Sequence, residues 1–138
     1  MRKLLFSILR QFFVTKPVTR RKRITKNRGE YLALKEKARE IVTTRLAHFN
    51  QHYGYSWNRV SIKNQKTRWG SCSSKGNLNF SYKIALLPAH IADYIIVHEL
   101  CHLAQMNHSK NFWDLVAETI PNHREIRNEL RKRGRDLK

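Results

Sequence analysis

The chain has 138 residues, the size of one ordinary domain, so a multi-domain machine is excluded. Hydrophobic residues make up 41% and aromatic residues 10% of the chain, which is enough for a core and excludes a wholly disordered protein. With 28 Lys+Arg against 10 Asp+Glu, the formal net charge is +18. Nucleic acid or an anionic membrane is therefore an expected class of partner.

The first 29 residues are predicted to form a basic extension. Leu4, Leu5, Ile8, Leu9 and Phe12 recur at helical spacing, which indicates a short basic amphipathic helix. We favour packing of this helix on the protein itself or on a partner, with membrane-surface contact of residues 1–14 as the alternative. Residues 15–28 contain a proline and a run of four basic residues and are predicted to be a linker. We therefore divide the chain into an extension and linker, 1–29, and a folded domain, 30–138.

Features that direct a chain out of the cytoplasm are weak in this sequence. Arg10 interrupts the apolar start, and no small-residue cleavage site follows it. No stretch approaches the roughly 18 apolar residues of a membrane span. The two cysteines, Cys72 and Cys101, lack the spacing of a secreted disulfide scaffold. We expect a cytoplasmic protein with two free thiols.

The first half of the domain is predicted to be one helix followed by three strands. Apolar residues between Glu30 and Tyr53 step by threes and fours, and Gly54 offers a helix stop. Alternating patterns at 59–63, 67–72 and 77–81 predict short strands separated by turns. We expect them to form a small antiparallel meander.

The second half is predicted to be helical. Pro88 suits the first turn of a helix that runs to Leu103 and is apolar on most sides, hence buried and central. Asn107 is expected to end it, and Ser109 to cap the next helix, 110–120. Pro121 breaks the chain before a last, basic helix at about 122–133. The fold class is α+β.

The central helix carries the sequence His98-Glu99-Leu100-Cys101-His102, which has the form H-E-x-x-H. Residues four apart project from one helix face, so two imidazoles bind one metal ion while the Glu reaches the water beside it. His108 lies six residues further on, which would be rotated by about 240° on a continuous helix. The helix must therefore stop for His108 to become the third ligand.

Three His ligands on a Zn²⁺ ion leave one position open for water, and zinc lowers the pKa of such a water to about 7. Glu99 would act as the general base.

The other candidate residues are assigned less central roles. Cys101 faces away from the two histidines and is expected to be a core thiol, whereas Cys72 is a less favoured candidate for a metal ligand. His48, His52, His90 and His123 belong to no ligand spacing and are expected to be surface or capping residues. His123 and Tyr82 are also both candidates for stabilising an oxyanion.

Several motifs together resemble one family. They are Arg68–Ser73 (RWGSCS), Leu86–Pro88 (LLP), His98–His102 (HELCH), Asn107–Ser109 (NHS) and Phe112–Trp113. In these motifs the chain resembles the YgjP-like branch of zinc metallopeptidases, over about residues 30–133. The resemblance implies a minimal zincin-like α+β fold with zinc on His98, His102 and His108, catalysis by Glu99, and kinship with the SprT and WLM zincins, some of which act on DNA-bound proteins.

The metzincin family has the same ligand spacing but is rejected. Gln105 stands where metzincins keep Gly, and no Met follows His108 to form their Met-turn.

By analogy with other zincins, a peptide substrate is expected to bind as an added strand along Leu78–Ser81. Trp69 is interpreted as a packing residue rather than a substrate contact, and Phe112 and Trp113 are expected to pin their helix to the active-site helix.

Two functions are weighed. The first is a zinc metallopeptidase acting on a peptide or protein substrate, whose basic flanks recruit it to nucleic acid or acidic protein. The second is a basic nucleic-acid-binding module in which zinc only holds the fold. Glu99 favours the first, because a structural zinc site has no use for a base beside the metal.

Overall fold

The structure, a computed structural model, describes the backbone of residues 18–136 and the side chains of residues 27–134. The amphipathic helix predicted within residues 1–14 lies outside the described residues. Two compact units divide the chain, Met1–Glu30 and Tyr31–Lys138. In chain order the elements are α1 (Val18–Tyr53), β1 (Arg59–Lys63), β2 (Gly70–Cys72), β3 (Asn77–Ser81), a 3-10 turn (Tyr82–Leu86), α2 (Ala89–Cys101), α3 (Lys110–Thr119) and α4 (His123–Asp136). The α+β class is confirmed.

Helix α1 is longer than predicted. It begins at Val18 instead of Glu30, so the linker prediction is wrong for residues 18–28. Lys and Arg are good helix formers, so a basic run does not by itself imply a linker. The predicted end is confirmed, because the chain leaves the helix at Gly54, whose φ of 66° favours glycine.

The sheet is mixed, and the predicted antiparallel meander is wrong. Its strand order is β1-β3-β2, with β1 parallel and β2 antiparallel to the central strand β3. Alternation of apolar residues specifies which face of a strand is buried, but it does not specify the neighbouring strand. The turn before β3 passes through Gly76 at a φ of 74° and closes the β2–β3 hairpin.

This topology also corrects the expected peptide-binding edge. Strand β3 holds Leu78–Ser81 and is paired on both sides, so its backbone is already engaged in the ladder. The outer strands of the sheet are β1 and β2. Of these, β2 contacts α2, the helix that carries H-E-x-x-H.

The core lies around α2. One face of α1 contributes the buried row Ala38, Val42, Leu46 and Phe49, and α2 is surrounded by β2, α3 and α4. Burial of such apolar side chains stabilises the fold by roughly 1.5–3 kcal/mol each. No helix in the described part of the chain combines the length and apolarity that crossing a bilayer would require.

Helix α2 begins after Pro88, as predicted, but it ends at Cys101, so the prediction that Asn107 stops it is wrong. The N–H groups of Leu103 and Ala104 donate to carbonyls of the last helical turn at 3.1 Å, which tightens that turn and satisfies free carbonyls. Ser109 holds the N-cap position of α3, as predicted, but its side chain makes no capping hydrogen bond.

Candidate metal centre and catalytic cleft

Three histidines converge at the end of α2. His98 lies in the last turn of α2 and His102 occupies the C-cap position one turn later, and His108 returns to them from the loop before α3. The Nε2 atom of His98 lies 3.2 Å from Nε2 of His102 and 3.1 Å from Nε2 of His108. Because α2 ends early, the chain can bring His108 back toward His98 and His102. On a continuous helix the His108 side chain would point away from those two rings.

The donor set fits a divalent metal ion. Nitrogen ligands at about 2.0–2.1 Å from a tetrahedral zinc lie about 3.4 Å apart, close to the separations seen here. The Nδ1–H of His102 donates to the carbonyl oxygen of Gln105 at 2.9 Å, which leaves the Nε2 lone pair of the neutral ring for a metal.

Burial favours the neutral form of the His98 and His102 rings, and the neutral imidazole is the form that binds metal ions. Burial lowers the pKa of His98 to about 3, with further lowering by the neighbouring His102, His108 and Arg127. Burial also lowers the pKa of His102, against the opposing effect of its hydrogen bond to Gln105.

Aromatic rings hold the three imidazoles in place. Phe112, which is fully buried, stacks on His102 at 4.4 Å between ring centroids. Trp113 stacks on His108 at 5.8 Å, and its ring also stacks on His123 at 5.2 Å. Both aromatics lie on α3, so this helix contacts the histidines of α2 through the two residues that were expected to pin it.

Glu99 lies beside this group and is 6% exposed. Its side chain is covered by Gly70 of β2, where a Cβ atom would lie 2.8 Å from Glu99 Cγ and 2.9 Å from Oε1. Burial raises the pKa of Glu99 to about 8, and the positive charge of Arg68 acts in the opposite direction.

A cleft of about 450 Å³ opens on the Glu99 side of the histidines. It lies between the loop before β2, helix α2 and helix α4. Its lining is Gln65, Lys66, Thr67, Arg68, Trp69, Gly70, Ser81, Lys83, Tyr94, Ile95, His98, Glu99, Arg127, Leu130, Arg131 and Gly134. Trp69 both packs on the core and lines the cleft, so the two roles considered for it do not exclude each other.

The structure adds Tyr94 to the site and separates the two earlier oxyanion candidates from the cleft. Tyr94 lies one helical turn before His98, with 5.8 Å between their ring centroids, and it lines the cleft. Its spacing of four from His98 was visible in the sequence. The described lining includes neither Tyr82, which packs edge-on against Tyr31, nor His123, which lies behind Trp113.

The remaining candidates lie outside the histidine group. In the described chain, the metal-binding group comprises His98, His102 and His108, without Cys72. Both cysteines are free thiols, and Cys101 is fully buried, as expected for a core residue. His52 and His90 pair with Glu118 and Glu129 at 2.8 Å on exposed surface. His48 contacts the ring of Phe49.

Comparison with known structures supports this fold. A crystal structure of the metallopeptidase zymogen of Pyrococcus abyssi abylysin is similar, with 28% identity and a TM-score of 0.61 over 67% of this chain and 93% of that chain. A second, the metallopeptidase zymogen of Methanocaldococcus jannaschii jannalysin, has 22% identity and a TM-score of 0.54 over 70% and 95% of the two chains, and shows likeness of fold. No curated protein gives a significant match.

The family comparison covers most of the chain. The family model described as YgjP-like, metallopeptidase domain, matches residues 11–133. This match begins at residue 11, upstream of residue 30 where the resemblance seen in the sequence begins, and so it includes much of the basic segment. A metallopeptidase requires a metal ion, and a group of three histidines able to bind one is present. The chain belongs to the YgjP-like metallopeptidase family.

Proposed function

We propose that the protein is a zinc-dependent peptidase in which His98, His102 and His108 hold the metal and Glu99 is the general base. The observation that carries this proposal is the convergence of three Nε2 atoms beside a buried carboxyl group at the wall of a cleft. Domain 30–138 would be the catalytic unit, and residues 1–29 its basic extension.

The histidine ligands favour zinc among the divalent metals, because imidazole suits it and three such ligands are typical of catalytic zinc sites. When bound, the ion supplies Lewis acidity to the reaction. Glu99 takes a proton from the attacking water and returns it to the leaving amine, so the amine departs uncharged. Burial of Glu99 beneath Gly70 keeps the carboxyl group in one position between these two transfers.

The outer edge of β2 is the proposed position for the peptide backbone. Strand β2 is an outer strand of the sheet, and its first residue, Gly70, covers the general base. A peptide added there would form main-chain hydrogen bonds and present its scissile bond near Glu99.

Two variants test the proposal. His102→Ala should lose the metal, as measured by elemental mass spectrometry of the purified full chain. Glu99→Gln should keep the metal and the melting temperature but reduce peptide hydrolysis by about 10²–10⁴-fold. Hydrolysis by Glu99→Gln at the wild-type rate would overturn the assignment of Glu99.

The basic nucleic-acid-binding module remains a second candidate, favoured by the net charge of +18. It requires a structural metal, and such sites normally use four Cys or His ligands, whereas the described residues bring together three histidines. Titration of duplex DNA at rising salt tests it, since electrostatic binding weakens steeply with salt. Tight, salt-sensitive binding together with a chain that cleaves no peptide would favour the module.

A further inference from the structure

The walls of the cleft carry a strong excess of positive charge. Among the lining residues whose side chains the structure describes, five are basic and one, Glu99, is acidic. Glu99 is buried at the base of the cleft, whereas four of the five basic residues are exposed at its rim. The basic residues are Lys66, Arg68, Lys83, Arg127 and Arg131.

These charges come from two sides of the cleft. Lys66 and Arg68 lie in the loop before β2, next to the edge strand. Arg127 and Arg131 lie four residues apart on α4 and therefore share one face of that helix. Two separate elements thus contribute like charges to one concave surface, where the electric field of each is reinforced by the others.

Three of the exposed cleft residues, Lys66, Arg68 and Arg131, form no salt bridge with a described acidic side chain. Within the described side chains, no carboxylate lies within 4.0 Å of a charged nitrogen of Lys66, Arg68 or Arg131. Some basic residues outside the cleft do have a partner, as with Arg45 and Asp93 at 2.7 Å or Lys110 and Asp114 at 2.7 Å. Like charges held together repel, and an anionic ligand would relieve that repulsion.

We propose that this cleft selects peptide segments that carry acidic side chains, with Lys66, Arg68, Arg127 and Arg131 as the residues that determine the preference. The proposal rests on the proposed peptidase function and names its substrate class. Trp69, Ile95 and Leu130 line the cleft between the charges and provide apolar contact for the rest of such a segment. A lysine-rich segment would meet like charge from both walls and be disfavoured.

The test compares three fluorescent alanine-based peptides of equal length that carry Glu, Gln or Lys at the same positions. Binding is measured by anisotropy with zinc-loaded Glu99→Gln protein, so that no hydrolysis interferes. We expect the Glu peptide to bind at least about tenfold more tightly than the Gln peptide, the Lys peptide to bind least, and the difference to shrink as salt rises. Equal affinity for the Glu and Gln peptides would overturn the proposal.

A matched pair of variants separates the cleft from the general basic surface. Lys66→Gln with Arg131→Gln removes one cleft charge from each wall. Lys63→Gln with Lys132→Gln removes two exposed charges nearby that do not line the cleft. The cleft pair should reduce the preference for Glu over Gln by about fivefold, and the control pair should leave it unchanged. Equal loss in both pairs would assign the preference to the overall charge and overturn the proposal.

Hydrolysis distinguishes failure of this proposal from failure of the proposed function. If wild-type protein cleaves the Glu and Gln peptides with equal kcat/KM, the peptidase assignment stands and the substrate preference is wrong. If the Glu peptide binds preferentially through the cleft residues but none of the peptides is cleaved, the preference stands and the peptidase assignment is weakened.

Discussion

The backbone of Gly70 lies directly against the carboxyl group of Glu99. A Cβ atom on Gly70 would be 2.8 Å from Glu99 Cγ and 2.9 Å from Oε1, closer than Cβ atoms approach other atoms in proteins. Strand β2 and helix α2 therefore meet at a position where only glycine leaves room for the acidic side chain. The RWGSC motif and the HELCH motif are thus two sides of one contact.

Substitution of this glycine should impair hydrolysis while sparing the metal. Gly70→Ala would push Glu99 out of its position, so kcat/KM should fall by about 10²-fold, since small misplacements of a catalytic group have effects of this size. The zinc content should stay at the wild-type level, because the histidine side chains lie elsewhere. Gly29→Ala is the control, since a Cβ there meets nothing within 4 Å. Wild-type kcat/KM in Gly70→Ala would contradict the contact.

Removal of the Trp113 ring should weaken metal binding. His108 is exposed and stacks on Trp113, so Trp113→Ala would remove the support of the proposed third ligand. Zinc affinity, measured by competition with a chelating dye, should fall by about 10–100-fold. Trp113→Phe keeps an aromatic ring and should restore most of the affinity. An unchanged affinity in Trp113→Ala, with the melting temperature recorded alongside, would show that the stacking does not position His108.

The Cys72 thiol should react slowly at neutral pH. Burial, and then the charge of Glu99, raise its pKa to about 11, so the neutral thiol persists well above its ordinary range. Only the thiolate reacts, so alkylation by iodoacetamide should speed up about tenfold per pH unit from pH 8 to 10. Mass spectrometry of the intact chain measures the rate, and Cys72→Ser removes the reaction. A rate that levels off below pH 9 would contradict the raised pKa.

The ion pair between α1 and α2 should contribute measurably to stability. Arg45 donates to both carboxylate oxygens of Asp93 at 2.7 and 2.8 Å, and the pair is partly buried. Asp93→Asn should lower the free energy of unfolding in urea by about 1–3 kcal/mol, because hydrogen bonds between charged groups are lost.

The exposed pair Lys110–Asp114 is the control for that measurement. It has a distance of 2.7 Å but side-chain exposures of 87% and 59%. Asp114→Asn should therefore change the free energy of unfolding by about 0.5 kcal/mol or less. An equal loss in Asp93→Asn and Asp114→Asn would show that the bidentate geometry and partial burial of the first pair have no effect.

The sequence alone was sufficient for the features that depend on local spacing. The i, i+4 spacing of His98 and His102 places both imidazoles on one face of a helix, and this relation depends only on local helix geometry. The six-residue gap to His108 requires a break in the helix, and the structure contains one. Gly54, Pro88 and Pro121 mark the ends and starts of helices because their backbone preferences act within a few residues.

Only the tertiary structure decided which distant segments meet. The parallel pairing of β1 with β3, the cover of Gly70 over Glu99 and the joining of Arg68 with Arg131 in one cleft each depend on contacts between residues far apart in the chain. A single sequence carries no direct signal for such contacts, because alternation and periodicity report the buried face of an element but not its partner. The spacing of the three histidines was therefore readable from the sequence, whereas the cleft beside them became visible only in the fold.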